Sequence, residues 1–170
     1  MDSLSETGTI DADLVRQALR RMAKSVTIIT CVDQERRYAM AATAADSLSM
    51  TPPAMLISVN RSSSLHVPLS AGASFCVNVL SRCHEPVSRA CGGGRRGEDR
   101  FEVGSWVGGI DGVPMLADAA ASFVCRNEKT MAYGSHSIFL GSVLDVRTNG
   151  DIDPLIYLDG RYLGAEPAPC

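Results

Sequence analysis

Six short runs, at residues 26–32, 55–59, 75–80, 121–126, 138–146 and 155–158, are rich in Val, Ile, Leu and Phe, and no helix-length apolar pattern alternates with them. Branched and aromatic side chains favour strands. A doubly wound parallel sheet needs a crossover helix between successive strands, so this spacing predicts a mainly β, antiparallel barrel. The stretches Asp33-Gln34-Glu35 and Asn149-Gly150-Asp151 supply turns. One amphipathic helix is expected ahead of the strands. Ile10, Leu14, Ala18 and Met22 fall four apart with Val15 and Leu19 beside them, while Asp13, Arg16, Arg20 and Arg21 take other faces. Such a helix is expected to pack on something larger. Short peripheral helices are expected at 64–70 and 85–91, and residues 91–112 read as a long excursion over the barrel.

A chain of 170 residues that is 45% hydrophobic can bury one core. The expectation is one domain over residues 10–164, with flexible ends at 1–9 and 165–170. The net charge of -3 argues against a grip on nucleic acid, and no apolar run approaches the roughly 18 residues of a membrane span. Cys31, Cys76, Cys83, Cys91, Cys125 and Cys170 read as reduced thiols of a soluble cytoplasmic protein, because no signal peptide precedes them and a chain this apolar needs no disulfide staples.

Several familiar chemistries find no support. Gly92-Gly93-Gly94-Arg95-Arg96-Gly97 satisfies GxGxxG, but a helix-like segment precedes it and polar residues follow, where a dinucleotide fold needs a strand before and a helix after. Cys83-His84 with Cys91 lacks metal-ligand spacing, so no metal is expected. The chain has no GxSxG elbow, and adjacent residues in Ser135-His136-Ser137 point to opposite faces of a strand.

Two segments offer more. At residues 39–53, alanines at 39, 41, 42, 44 and 45 bracket Thr43, and a hydroxyl-rich stretch then ends at Pro52-Pro53. Small side chains let a flat ligand reach the backbone, whose N–H and C=O groups match an alternating donor and acceptor edge. The same residues also read as a packed strand followed by a loop that turns at the prolines. Asn60-Arg61-Ser62-Ser63-Ser64 follows an apolar run and offers hydroxyls plus a guanidinium suited to phosphate, or an ordinary polar turn.

Taken in order, the pieces resemble the flavin reductase family with the FMN-binding split-barrel fold, the reductase components of two-component aromatic monooxygenases. Ser25-Val26-Thr27-Ile28-Ile29-Thr30 resembles the family's G-V-T-V-V-T entry, and residues 40–53 its G-M-T-A-N-S-F stretch running to P-P. Phe75-Cys76-Val77-Asn78-Val79-Leu80 is similar to F-x-V-N-V-L, Asp99-Arg100-Phe101 to D-R-F, and residues 134–143 to G-D-H-x-I-x-x-G-x-V. Pro154-Leu155-Ile156-Tyr157 and Gly160-Arg161-Tyr162 complete the series, which spans about residues 14–163.

The resemblance implies a homodimer of six-stranded antiparallel Greek-key split β-barrels that passes hydride from NADH or NADPH to FAD or FMN for a partner monooxygenase. It places Ala41, Ala42, Thr43 and Ala44 along the isoalloxazine edge, Asp46 and Ser47 at the ribityl and phosphate, and Asn60, Arg61 and Ser63 on the phosphate or adenylate side. Arg100 and Phe101 would close the site from the loop, and His136 would sit near the nicotinamide as the ionisable catalytic residue. Departures from the family pattern bear on this. Ala41 to Ala45 lack most of the side-chain donors of T-A-N-S-F, Asp46 brings a charge where serine is usual, and Arg89-Ala90-Cys91 lacks the aromatic residue of R-F-A. Ser135 replaces the acidic residue of G-D-H, as in reductases serving chlorophenol and hydroxyphenylacetate hydroxylases. Which flavin and which nicotinamide are used depends on loop geometry around Arg61, Arg95, Arg96 and Arg100. Two other readings share the barrel: an FMN-dependent oxidase resembling pyridoxamine phosphate oxidases, and a non-catalytic flavin- or haem-binding protein.

Overall fold

The computed structural model describes residues 10–165, so the expected flexible ends lie outside the described residues except for Ala165. The chain opens with helix α1 (Ala12–Leu19), whose N-cap Asp11 carboxylate accepts the Asp13 N–H at 2.8 Å. Strands β1 (Lys24–Ser25), β2 (Thr27–Asp33), β3 (Arg36–Ala42), β4 (Ala45–Met50) and β5 (Pro53–Asn60) follow, then helix α2 (His66–Ser70) and β6 (Phe75–Val79). Helix α3 (Glu85–Arg89) leads into a wide turn at Ala90–Gly94 and a 3-10 segment at Gly97–Glu102. The rest is β7 (Trp106–Gly108), β8 (Pro114–Leu116), the long hairpin β9 (Ala121–Tyr133) and β10 (His136–Thr148), and β11 (Leu155–Leu158) with β12 (Arg161–Gly164).

Seven strands form one antiparallel sheet in the order β3-β2-β6-β9-β10-β5-β4, flanked by the small sheets β1-β11-β12 and β7-β8. The β2–β3 hairpin turns through Gln34 and Glu35 at φ 47° and 66°, the left-handed pair whose twist suits a two-residue connection. Strand β5 alternates, with Met55, Ile57 and Val59 inward. Strand β2 is buried on both faces from Thr27 to Cys31, so its apolar residues show no two-residue alternation.

One core cluster draws Ile29 from β2, Phe75 and Val77 from β6, Cys125 from β9, Phe139 from β10 and Ile57 from β5, with Met40 and Ala42 of β3 and Ala45 of β4 packed against it. Residues from both edge strands meet in a single core, so the sheet wraps around it. Irregularities in the β9–β10 pairing beside Gly141 and Val143 add to the bend. A Cβ at Gly141 would lie 2.6 Å from Phe75 Cζ and 2.8 Å from Cys125 Cβ. Gly141→Ala is therefore expected to destabilise the fold by about 1–3 kcal/mol, read as a lower denaturant midpoint at unchanged slope.

The six expected strands are all present. The stretch expected as strand then loop is two strands, β3 and β4, joined by Thr43-Ala44. Strand β4 escaped the pattern because it is an edge strand whose Asp46, Ser47 and Leu48 all face solvent, which leaves no alternation. Helix α1 differs from expectation in another way. None of its residues is buried, and Leu14 and Leu19 remain 62% and 58% exposed, so among the described residues its apolar face is uncovered. Its end is tied by Arg20, whose Nε lies 2.8 Å from the Asp159 carboxylate.

Candidate functional site

Among the described residues strand β3 pairs only with β2, and no strand covers its other edge. In an antiparallel pair the residues alternate between exchanging both peptide bonds with the partner strand and turning both away. Arg37 and Ala39 turn theirs away. The Arg37 N–H donates to Glu98 Oε1 at 3.1 Å, and the Ala39 carbonyl accepts from Arg100 Nη1. Ala41 stands next in that series, two residues on, and presents its N–H and C=O along the same open edge.

That edge borders two cavities. One, of about 250 Å³, is lined by Val26, Ala41, Ala42, Thr43, Ser88, Gly92, Tyr157 and Tyr162. Its walls differ in kind. Small residues face it on one side, and a Cβ at Gly92 would sit 3.7 Å from the Ala41 Cβ. On the other side Tyr157 and Tyr162 meet edge to face at 5.3 Å between centroids. The buried Ser88 hydroxyl lies 2.9 Å from the Tyr162 hydroxyl and holds it in place. The second cavity, of about 420 Å³, lies along Arg36–Ala39 and takes Ser62, Ser64, Arg96 and Arg100 from two loops. Hollows near α1 and near residues 148–154 are as large or larger, but no candidate residue lines them.

The loop between the cavities is clasped to β3. Arg37 meets Glu98 through its backbone N–H and twice through its guanidinium, at 3.0 and 2.6 Å to Oε2. That pairing holds the Glu98 carboxyl below the usual carboxylate range. Phe101 is buried beneath, edge-on to Trp106 at 5.1 Å and under the Arg37 guanidinium at 4.2 Å.

The expected residues therefore divide. Ala41, Ala42 and Thr43 line the first cavity and Arg100 the second. Phe101 lines neither; it anchors the loop from the core. Asp46 and Ser47 lie exposed on β4, where Asp46 Oδ1 accepts the Ser47 N–H at 2.8 Å, and Ala44 is exposed at the bend, its carbonyl accepting the Ser58 N–H at 2.9 Å. Asn60, Arg61 and His136 gather at one end of β5 and β10, where His136 stands opposite Asn60 and the Arg61 N–H donates to the Ser135 carbonyl at 2.9 Å. His136 is exposed, with Nδ1 2.9 Å from the Ser135 hydroxyl. Ser63 turns inward to Met40 Sδ at 3.2 Å, leaving its neighbours Ser62 and Ser64 on the basic cavity. Ser88, Gly92, Tyr157 and Tyr162 were not expected at the site. The Pro154-Leu155-Ile156-Tyr157 and Gly160-Arg161-Tyr162 motifs were the signal that pointed to the two tyrosines.

The site is not built for thiol chemistry. Burial pushes the Cys31, Cys76 and Cys125 thiols up to about 12 and that of Cys91, behind the loop, up to about 11. Among the described residues no helix is long and apolar enough to cross a membrane.

Comparison with known proteins decides the family. Residues 19–166 match the model of the flavin reductase like domain. The chain belongs to that family. The chain is 36% identical, over 99% of its length and 84% of the relative's, to the FMN reductase (NADH) RutF 1 of Methylorubrum extorquens. It is also 36% identical, over 90% of its length and 87% of the relative's, to the reductase component of the FADH(2)-dependent resorcinol hydroxylase of Rhizobium sp.. Among solved structures, the Streptomyces globisporus NADH:FAD oxidoreductase SgcE6, in complex with NAD and FAD fragments, is 28% identical with a TM-score of 0.84, over 92% of this chain and 94% of that one. In this flavin reductase the small-residue cavity fits a flavin ring. An unpaired peptide edge and low walls lie on one side and aromatic rings on the other.

Proposed function

We propose that this flavin reductase transfers hydride from NADH or NADPH to FAD or FMN and supplies the reduced flavin to a separate monooxygenase component. The observation that carries the reading is the open edge of β3 at Ala41 beside the cavity closed by Tyr157 and Tyr162. Flavin, when bound, would supply the redox chemistry as the acceptor of hydride from the reduced nicotinamide. The chain's own part is positioning. The Ala41 and Thr43 peptides hold the flavin's polar edge, and the fixed N–H dipoles there favour negative charge on it. Tyr157 and Tyr162 limit tilt, and the Ser88 contact fixes Tyr162. Ala44 at the bend, then Asp46 and Ser47 on β4, lead from this edge toward the ribityl chain, and Asn60, Arg61 and Ser63 form the turn on the phosphate side. Arg100 and Phe101 close the loop, one from the cavity and one from beneath.

His136 is the residue assigned to the nicotinamide. Its ring is exposed and steered by Ser135, and it shares one end of the sheet with Arg61. The expected outcome for His136→Ala is at least a tenfold loss of nicotinamide-driven turnover, about 1.4 kcal/mol of barrier, with the flavin dissociation constant kept within about twofold. Steady-state rates and flavin fluorescence titration on the same preparation check both. Unchanged turnover removes His136 from the reaction.

The assembly is read as a homodimer of split barrels. The uncovered apolar face of α1 and the open β4 edge, where Met50 is 79% exposed, support it, since each is a surface that a second copy would bury. Closure of six strands as a Greek-key barrel is supported by the single core fed from both sheet edges. The cytoplasm is the assigned compartment, and free buried thiols suit its reducing conditions.

A further inference from the structure

The aromatic wall of the small-residue cavity ends in a pair of hydroxyls with one proton to spare. Ser88 Oγ and Tyr162 Oη lie 2.9 Å apart, and among the described residues neither has another hydrogen-bond partner. Two hydroxyls that share a single bond leave one proton over. The two positions are not equivalent. Ser88 is 1% exposed, so a proton left on it would be buried without an acceptor, which is costly, whereas Tyr162 is half-buried and lines the cavity. Ser88 therefore donates, and the spare proton belongs to the phenol. The ring that carries it is fixed from three directions. The Arg89 guanidinium lies over its face, 4.9 Å from the centroid, and is itself paired with Glu85 at 2.6 Å one turn back on α3. Tyr157 meets it edge to face, and Ser88, next to Arg89 on the same helix, bonds its oxygen. A ring that only limited tilt would need no oriented hydroxyl; phenylalanine would serve.

We infer that Tyr162 is a hydrogen-bond donor to the bound flavin, its phenol proton turned into the cavity by Ser88 as a positioning residue, and that it holds the reduced ring more tightly than the oxidised one. The inference rests on the reading that the flavin ring occupies this cavity. An oxidised flavin ring offers carbonyl oxygens and unprotonated nitrogens as acceptors. Reduction adds electrons to that ring, and a hydrogen bond to a charged acceptor is roughly twice as strong as one to a neutral acceptor. Tyr162 comes from β12, on the other side of the cavity from the Ala41 and Thr43 peptides, so its donor adds to theirs.

The test compares the full chain with Ser88→Ala and with Ser88→Ala/Tyr162→Phe. The double variant removes both hydroxyls together, so no buried group loses its partner, and the phenyl ring keeps its neighbours Arg89 and Tyr157. Dissociation constants are measured for oxidised FMN by fluorescence titration and for reduced FMN from the midpoint potential of the bound flavin. Relative to Ser88→Ala, the double variant is expected to lose about fivefold in affinity for the oxidised form and about thirtyfold for the reduced form. Losses equal in the two redox states overturn the inference in favour of a packing role for the ring, and equal constants in the two variants overturn it outright. Ala41→Leu, titrated in the same way, separates this inference from the reading beneath it. If Ala41→Leu loses flavin and the double variant does not, the phenol's role alone falls; if neither loses flavin, the assignment of the cavity falls with it.

Discussion

Replacing Asn78 by leucine is expected to cost about 3–5 kcal/mol of folding stability, a large share of the roughly 5–15 kcal/mol that holds a typical domain together. Asn78 is fully buried on β6 and ties neighbouring strands together. Its Nδ2 donates to the Ile28 carbonyl of β2 at 3.1 Å, while its Oδ1 accepts the Leu116 N–H of β8 at 2.9 Å and the Ser122 hydroxyl of β9 at 3.0 Å. Leucine approximates the volume but leaves the Leu116 N–H and the Ser122 hydroxyl without partners where water does not reach, and takes from the Ile28 carbonyl the side-chain bond it has beside the strand ladder. Urea unfolding followed by circular dichroism checks this: the midpoint should fall sharply. A shift worth under about 1 kcal/mol would mean that the strands reorganise to satisfy those groups.

Ala41→Leu should have the largest effect on function. The cavity is narrow here, with Gly92 one methyl group's reach from Ala41, and a leucine would occupy the space assigned to the flavin ring. Flavin affinity is expected to fall at least about thirtyfold, roughly 2 kcal/mol, with stability changed by less than about 1 kcal/mol because the added side chain enters a cavity rather than the packed core. Fluorescence titration with FMN and FAD, beside a thermal melt, separates the two effects. Undiminished affinity in a folded variant would move the flavin elsewhere.

How much of this was legible in the sequence follows from burial. Strand β5 announced itself because Met55, Ile57 and Val59 face the core and their neighbours do not. Strand β2 did so because both of its faces are covered. The small strands β1, β7, β8 and β12 have two to four residues each, too few for any period to register. At the site, the alanines around Thr43 signalled close approach to backbone, and the structure adds why the backbone is free: β3 is an edge. Asp46 and Ser47 follow the same motif in sequence but lie beyond the bend at Thr43-Ala44, on a strand facing solvent. Tyr157 and Tyr162 reach the cavity from the far end of the chain through the β11–β12 hairpin, a long-range placement that local pattern does not encode. Phe101 matched a motif, yet its apolar ring packs inward while its neighbour Arg100 faces the cavity.

The central claim is the transfer of hydride from a reduced nicotinamide to flavin, and it is tested most directly by crossing FMN and FAD with NADH and NADPH and following loss of the reduced nicotinamide's absorbance. Oxidation is expected to require the chain and to rise to saturation with added flavin for at least one pairing. No chain-dependent oxidation in any of the four, from folded protein that binds flavin, would contradict it.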